Sequence, residues 1–547
     1  MDSVKLDFES LPFSPLFCDY IRGGDKSFAF FEHKHTYVQL KHAVESYRYP
    51  HDRKKSCAII REFNRNFSLH KRAEENLKAL EDEDTVTLTT GQQVNLFGGP
   101  LYTVLKTLSV IHLAKKLSKE TRRHVVPVFW LADEDHDFDE IATVSLPNSK
   151  SVNRITLPGE SVDHQAAGSI QVNDDFALFR TSVYNALPET DFKGELTNLL
   201  NDCYSKGCSF RNAFGQFMAH LFSKYGLVFA GSNDLETKKF TSDIIKVAIQ
   251  QADSIRSVLS KQSEHIGAVF HQQAQVLDSL LFWHDDTEGR VRMKHLDGKW
   301  HRNPDIALST DQLLRELDKN PDRFSPNVFL RPVIQDTLLP NVAYIGGPAE
   351  IAYFGQMKPL YHLFQQKMPF IAGRLSATMM EPSIARIFNE LPFKLSDYAR
   401  RIEDLEQTYL KTLADPEADH HFDDWKQSVE ALTNRMTQQI GVSDPGLQNH
   451  SKALTKEHQK AIDKFRQKWM HTIRQKEEVQ INRIRKIKHA LFPNDHLQER
   501  EISFIYFINK YGLDIWDRVL ILLETEADKP RNRQTDELFS QHYLFKL

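Results

Sequence analysis

Cysteine is scarce in this chain: there are four in 547 residues, Cys18, Cys57, Cys203 and Cys208. None forms a C-x-x-C pair, and Cys203 and Cys208 have no second pair to complete a metal site. No structural zinc is expected, and so few thiols in so long a chain point to a reducing compartment. Long apolar runs are missing too. No stretch approaches the ~20 apolar residues of a membrane span. The acidic start Met1-Asp2-Ser3-Val4-Lys5-Leu6-Asp7 lacks the apolar segment of a secretory signal. The expectation is a soluble, cytoplasmic protein with no membrane partner. A basic excess is also lacking: 70 Lys+Arg against 74 Asp+Glu leave a net charge of −4, whereas polyanion binders carry a strong basic surplus. Aromatic residues do not interleave with a basic stripe, so no nucleic-acid partner is expected. There is no G-x-S-x-G, no H-E-x-x-H, no G-x-G-x-x-G and no Walker loop.

What is present is enough for a large core. Hydrophobic residues make up 40%, and at ~150 residues per domain the length calls for a core plus at least one appended domain. Residues 1–84 read as mainly helical. The β-branched run Thr85 to Thr90 reads as a strand that stops at Gly91. A second glycine cluster, Gly98-Gly99-Pro100, precedes a helix over Leu101–Leu117. Val125 to Leu131 reads as a strand buried on both faces, with Pro127 near its beginning. Further strand candidates are Leu227–Ala230, Leu280–Trp283, Val328–Leu330, Ala343–Ile345 and Pro369–Ala372. This rhythm predicts an α/β fold with an open, mostly parallel Rossmann-type sheet over residues 1–390, interrupted by insertions at about 145–225 and 255–325. Narrow apolar seams follow, at Leu395, Tyr398, Ile402, Leu405 and Tyr409, then at Trp425, Val429, Leu432 and Met436. Thr455 to Phe492 reads as one long helix of roughly 50 Å. An α-helical coiled-coil domain over 391–493 is predicted, with 494–547 packing back on the core.

Four segments could carry chemistry. Thr90-Gly91-Gln92-Gln93, Asn95, Gly99, Tyr102 and Lys106 form a strand, glycine loop and helix start suited to a phosphate or carboxylate, or else a tight turn with a surface lysine. Asp133 to Glu140 packs six acids into eight residues at the end of the second strand. His136 suits acid–base work there, beside Asp135, Glu134 and Asp137, and Mg2+ is one cation these oxygens could take. A solvated helix start is the alternative. Arg331-Pro332 and Gly346-Gly347-Pro348 read as a second strand, loop and helix. Glu350 there either binds an amine or is an ordinary helix-start acid. Arg374 with Ser376 and Thr378 suits an anion, or Ser376 caps a helix. The basic stretch Arg483 to His489 reads as a solvated or dimer-facing helix surface.

In this order, these segments resemble the bacillithiol-biosynthesis cysteine-adding family, BshC. The resemblance rests on Thr90-Gly91-Gln92-Gln93, Gly99-Pro100-Leu101-Tyr102-Thr103, Lys106, Pro127-Val128-Phe129-Trp130, Glu134-Asp135-His136-Asp137, Arg331-Pro332, Gly346-Gly347-Pro348, Glu350-Ile351-Ala352-Tyr353 and Arg374 to Thr378. It spans most of residues 10–390. It implies a Rossmann-type core with connecting-peptide insertions, and a coiled coil that forms a homodimer. It implies a ligase joining cysteine to glucosaminyl-malate through an amide bond, with ATP or another nucleotide as activator. Asp135, His136 and Glu350 would be catalytic. The Gly91–Lys106 loop would hold phosphate or ribose. The alternatives are a non-catalytic nucleotide-binding dimeric scaffold, or a nucleotidyltransferase for another small acid. Two positions depart from the pattern: Asn95 where glycine is usual, and Asp133 where a small residue is common. Asparagine tolerates the left-handed conformation, so the turn is expected to survive.

Overall fold

The computed structural model describes residues 2–135, 137–148, 151–158, 165–286, 288–303, 306–413, 416–441, 448–527 and 538–547. The chain forms two compact units. The first comprises Met1–Asn148, Val152–Met379 and Gln498–Leu547, and the second is built on Met380–Leu497.

The first unit is organised by a five-stranded sheet of β1 (Val86–Gln93), β2 (Val125–Ala132), β3 (Val228–Gly231), β4 (Asn341–Gly346) and β5 (Phe370–Gly373), in the order β5-β4-β1-β2-β3. Every pairing is parallel. The sequence dictates this burial. Along β2, Val126, Val128 and Trp130 enter one apolar cluster, and Val125, Phe129 and Leu131 enter the other. A strand with both faces apolar needs a helical layer on each side. Helix α1 (Leu101–Glu120) covers one face. Helices α2 (Leu330–Leu338) and α3 (Pro348–Gly355) cover the other. Pairing with β3 begins at Val128, one residue after the proline that has no N–H to donate.

Three strand expectations need correction. β1 does not stop at Gly91 but runs on to Gln93, in register with Ala132. A Cβ at Gly91 would lie 3.0 Å from the Trp130 carbonyl oxygen, so this glycine permits close packing rather than a turn. Leu281–Asp285 is a strand, but it pairs antiparallel with Gly289–Arg292 and Phe324–Pro326, outside the main sheet. Val328-Phe329-Leu330 is not a strand. The Asn327 side chain accepts from the Phe329 and Leu330 amides and starts α2, so Arg331-Pro332 lies in a helix.

The left-handed residues of the glycine loop are Phe97, Gly98 and Gly99. Asn95 is not among them; its φ is −60°. This loop and the start of α1 are closed by the C-terminal segment. The Leu101 amide donates to the Ile502 carbonyl (2.8 Å), the Phe504 amide donates to the Gly99 carbonyl (3.2 Å), and Pro100 bridges Ser503. The last strand, His542–Lys546, pairs antiparallel with Asp2–Leu6 and also lies beside β6 (Ser376–Met380).

In the second unit, α4 (Pro416–Gly441) and α5 (Gln448–Lys476) form an antiparallel hairpin. Phe422 sits 5.8 Å from Phe465 and 5.6 Å from Trp469, ring to ring, and Arg466 pairs with Asp423 at 3.1 Å. The single helix expected over 455–492 is two. α5 ends, and α6 (Glu478–Leu491) follows after a break at Glu477. Buried Glu406 bridges the break, accepting from Arg474 of α5 (2.5 Å) and Arg485 of α6 (2.6 Å). Nor is the basic stretch wholly solvated: Lys488 is buried and donates to the Tyr398 and Arg400 carbonyls.

At Gly98, φ is +85° and an added Cβ would meet the Phe504 ring at 2.3 Å. Gly98→Ala is expected to cost at least about 2 kcal/mol from combined backbone and packing strain. Urea unfolding would show this as a lowered midpoint.

Candidate functional site

The strand order places β1 and β4 side by side, although a long stretch of chain separates them. That is the reversal point of a doubly wound sheet, where ligands bind beyond the carboxyl ends of the strands. A cavity of about 550 Å3 lies there. Its wall takes Gly91, Gln92 and Gln93 from β1, Trp130 and Ala132 from β2, and Tyr344 from β4. Each other strand adds a residue that follows it: Ser232 after β3, Gly347 after β4 and Arg374 after β5.

A buried ion pair crosses this reversal point. Lys106 of α1 meets Glu350 of α3 at 2.6 Å. Lys106 also donates to the Gly91 carbonyl (2.9 Å) and to Gln92 Oε1 (3.0 Å), which uses all three ammonium protons. It is therefore not a surface lysine. Glu350 also accepts from Tyr344 Oη (2.6 Å) and the Gly347 amide (2.8 Å). Burial alone would raise the Glu350 pKa, but Lys106 and these donors outweigh it and hold the carboxyl below its ordinary range. Burial, reinforced by Glu350, pushes the Tyr344 phenol well up, so it donates rather than ionises.

The acidic loop divides in two. Glu134 lines the cavity but is bonded to Lys238 and Ser232, and these partners outweigh burial to keep it ionised. Asp135 faces the cavity. Gln93 donates to Asp135 Oδ2 (2.7 Å) and to Glu140 Oε2 (2.8 Å), holding two carboxylates on one wall. Arg290, brought in by the antiparallel insertion, stands 3.9 Å from Asp135. Asp137 caps the short helix Phe138–Ile141 and is exposed away from the cavity. His136 lies outside the described residues. Among those described, no group of three or more His, Cys, Asp or Glu is placed to hold a metal.

Arginines also line the cavity. Arg331 donates to Gln335 Oε1 (3.2 Å) and Tyr353 Oη (3.0 Å) and stacks over Tyr344. Arg500, from the C-terminal segment, also reaches the wall. Neither has a carboxylate partner among the described residues. Arg374 does have one: Ser376 lies in a strand rather than capping a helix, and both residues bind the chain's own Glu499.

Of the residues singled out in the sequence, the cavity thus gathers Gly91, Gln92, Gln93, Tyr102, Lys106, Glu134, Asp135, Arg331, Glu350 and Arg374. Thr90, Asn95, Gly99 and Ser376 are not on its wall. Thr90 Oγ1 bonds the Ile345 carbonyl inside the sheet, and Asn95 Nδ2 bonds the Glu140 carbonyl. Glu140, Tyr344 and Tyr353 lay in the segments singled out but were given no role, and Arg290, Glu499 and Arg500 were missed. Glu140 had a signal, as the last acid of the run already singled out. Arg290 and Arg500 sit in ordinary charged sequence, and only folding brings them here.

The fold is that of a Rossmann-like protein with a cavity at the sheet's reversal point. Residues 1–375 match the family model "Bacillithiol biosynthesis BshC, N-terminal Rossmann-like domain", and residues 377–529 match "Bacillithiol biosynthesis BshC, C-terminal coiled-coil domain". The chain belongs to the BshC family. Among similar proteins, one from Bacillus cereus strain Q1 is 28% identical over 518 residues, 93% of this chain and 96% of the relative. Another from Salinibacter ruber is 28% identical over 520 residues, 94% and 95%. One from Desulforamulus reducens is 29% identical over 469 residues, 85% and 87%. Each carries the name "Putative cysteine ligase BshC".

Asp133, one of the two departures noted in the sequence, is fully buried, and neither of its oxygens has a hydrogen-bond partner. Arg211 stands 3.5 Å away, with a guanidinium nitrogen donating to the Asn233 carbonyl. Burial raises the Asp133 pKa to about 7, against the pull of Arg211 and with a push from Glu134 and Asp234. The folded state then binds this proton more tightly than the unfolded chain does. The group's contribution to stability is full below the ordinary aspartate pKa and is lost as pH rises through about 7. Asp133→Asn should therefore stabilise the protein at about pH 8, by an amount on the order of a few kcal/mol, and the gain should vanish near pH 4. Urea melts of both proteins across this range check it.

Proposed function

We propose that this chain is the cysteine ligase of bacillithiol biosynthesis, forming the amide between cysteine and the amine of glucosaminyl-malate. The observation that carries this reading is that one cavity is lined by both acidic and basic side chains. Asp135 and Glu140, held together by Gln93, suit an ammonium or amine. Arg331 and Arg500, without acid partners among the described residues, suit carboxylates. An amino sugar carrying malate presents both. The family match and the names of the relatives support the same assignment.

In the bond-forming step, the amine attacks the carboxyl carbon of a cysteine that is already activated: the C–N bond forms, the bond from that carbon to the activating group's oxygen breaks, and that oxygen leaves with the electron pair. Asp135 accepts the proton that the amine sheds, with His136, its neighbour in sequence, as the acid–base candidate beside it. Arg331 and Arg500 hold the malate end and fix the attack geometry. Glu350, whose oxygens are engaged by Lys106, Tyr344 and Gly347, shapes the wall rather than binding an amine.

Cysteine's carboxylate is unreactive and must be activated, for which ATP or another nucleotide is the agent the resemblance implies. The Gly91–Lys106 segment does not fit a phosphate: its ammonium protons are all engaged, its glycine turn faces Phe504, and the first amide of α1 is bonded to Ile502. No step is therefore routed through a nucleotide or Mg2+.

We also propose that the second unit forms the homodimer. Trp425, Leu432 and Met436 are exposed on α4 at spacings of seven and four, the pattern of one helical seam. Leu432→Glu with Met436→Glu should convert a dimer to a monomer in analytical ultracentrifugation. A wild-type monomer would remove the proposal.

Deleting the gene should abolish bacillithiol and raise glucosaminyl-malate in extracted thiol and sugar pools. Wild-type protein should restore bacillithiol. Asp135→Asn and Arg331→Met should restore it at least about tenfold less well. Normal bacillithiol in the deletion strain would overturn the reading and favour a scaffold.

A further inference from the structure

The anion that Arg374 and Ser376 hold is supplied from far along the chain. Glu499 follows the entire second unit in sequence, yet it belongs to the first. It is completely buried. Arg374 Nη2 donates to its Oε1 (2.7 Å) and Nη1 to its Oε2 (3.1 Å), a two-pronged pairing. Ser376 Oγ lies 3.0 Å from both oxygens, and the Ala377 amide donates to Oε2 at 2.8 Å. Beside it, Gln498 exchanges two hydrogen bonds with the Met379 backbone. Behind it, His542 bridges Ser376 (2.8 Å) and Thr378 (2.9 Å).

This clamp bears directly on the cavity. The guanidinium of Arg374 is on the cavity wall and lies over the Tyr102 ring. Arg374 Nε and Glu350 Oε2 both come within 3.5 Å of the point where a Cβ at Gly347 would stand. Without Glu499, Arg374 would have two other anions to turn to: Glu350, already paired with Lys106, and whatever anion enters the cavity. A buried guanidinium left unpaired gains strongly from either.

We propose that Glu499 is a positioning residue. It neutralises Arg374 and fixes it away from Glu350 and from bound ligand, so that anion recognition is left to Arg331 and Arg500. The short segment Gln498–Glu501 would then set specificity twice, by withdrawing one cation through Glu499 and presenting another through Arg500. This inference rests on the clamp's geometry and does not depend on the cysteine-ligase reading.

The test is titration of inorganic phosphate into the purified full-length protein by calorimetry, with thermal melts to verify folding. Glu499→Gln frees Arg374 and should bind phosphate at least about fivefold more tightly than wild type. The double variant Arg374→Gln with Glu499→Gln frees no cation and should return to wild-type affinity. A purely structural role for Glu499 would change the melts and leave phosphate affinity alone. Folded Glu499→Gln with wild-type affinity overturns the proposal, as does tightening that survives in the double variant. If Glu499→Gln does not fold, Glu499→Asp, which keeps the charge but shortens its reach, replaces it. A smaller gain in affinity supports the proposal, and none overturns it. Phosphate affinity needs no turnover, and bacillithiol content does not report on it, so the two proposals fail separately.

Discussion

The Lys106–Glu350 pair ties together the two halves of the core. Lys106 belongs to the strand–helix unit that begins with β1, and Glu350 to the one that begins with β4. The two strands run side by side with their helices on opposite faces of the sheet, so a crevice opens where their carboxyl ends diverge. Buried charges are tolerated in such a place only when each is paired and bonded. The pair, with Gly91, Gln92, Tyr344 and Gly347 around it, meets that condition. It forms a rigid floor against which the looser charges of the cavity are arranged.

Above that floor the charges are sorted by how fully they are satisfied. Glu134, Lys106, Arg374 and Glu499 are buried and Glu350 is mostly buried, and each is held in an ion pair. Asp135 and Glu140 share the Gln93 amide, Arg290 stands near Asp135, and Arg331 donates to Gln335 and Tyr353. Saturated groups hold shape, and under-satisfied ones retain affinity for a ligand.

The C-terminal segment takes part in both. Ile502, Ser503 and Phe504 occupy the glycine loop that the sequence offers to a phosphate, and Glu499 occupies the anion site that Arg374 and Ser376 offer. The sequence offered each motif to an anion, the first with a tight turn as the alternative and the second with a helix cap. In each, the receptor is filled from within the chain. No local pattern announces this, because the filling residues lie after the whole helical unit in sequence.

Much of the fold was nevertheless legible in the residues. Period-two alternation along Val125–Leu131 demands a strand covered on both faces, and glycine clusters followed by periodic apolar residues demand strand–loop–helix units. The seam residues of 395–436 demand paired helices. These are local consequences of side-chain direction and burial, and a single sequence states them. The tertiary structure alone decided that Leu281–Asp285 leaves the main sheet, that Glu406 bridges a break in the long helix, that Arg290 and Arg500 meet the cavity, and that Glu499 pairs with Arg374. Each depends on which distant partner satisfies a charge or a backbone edge. That choice is made by the competition among all buried groups at once, and no short window of sequence contains it.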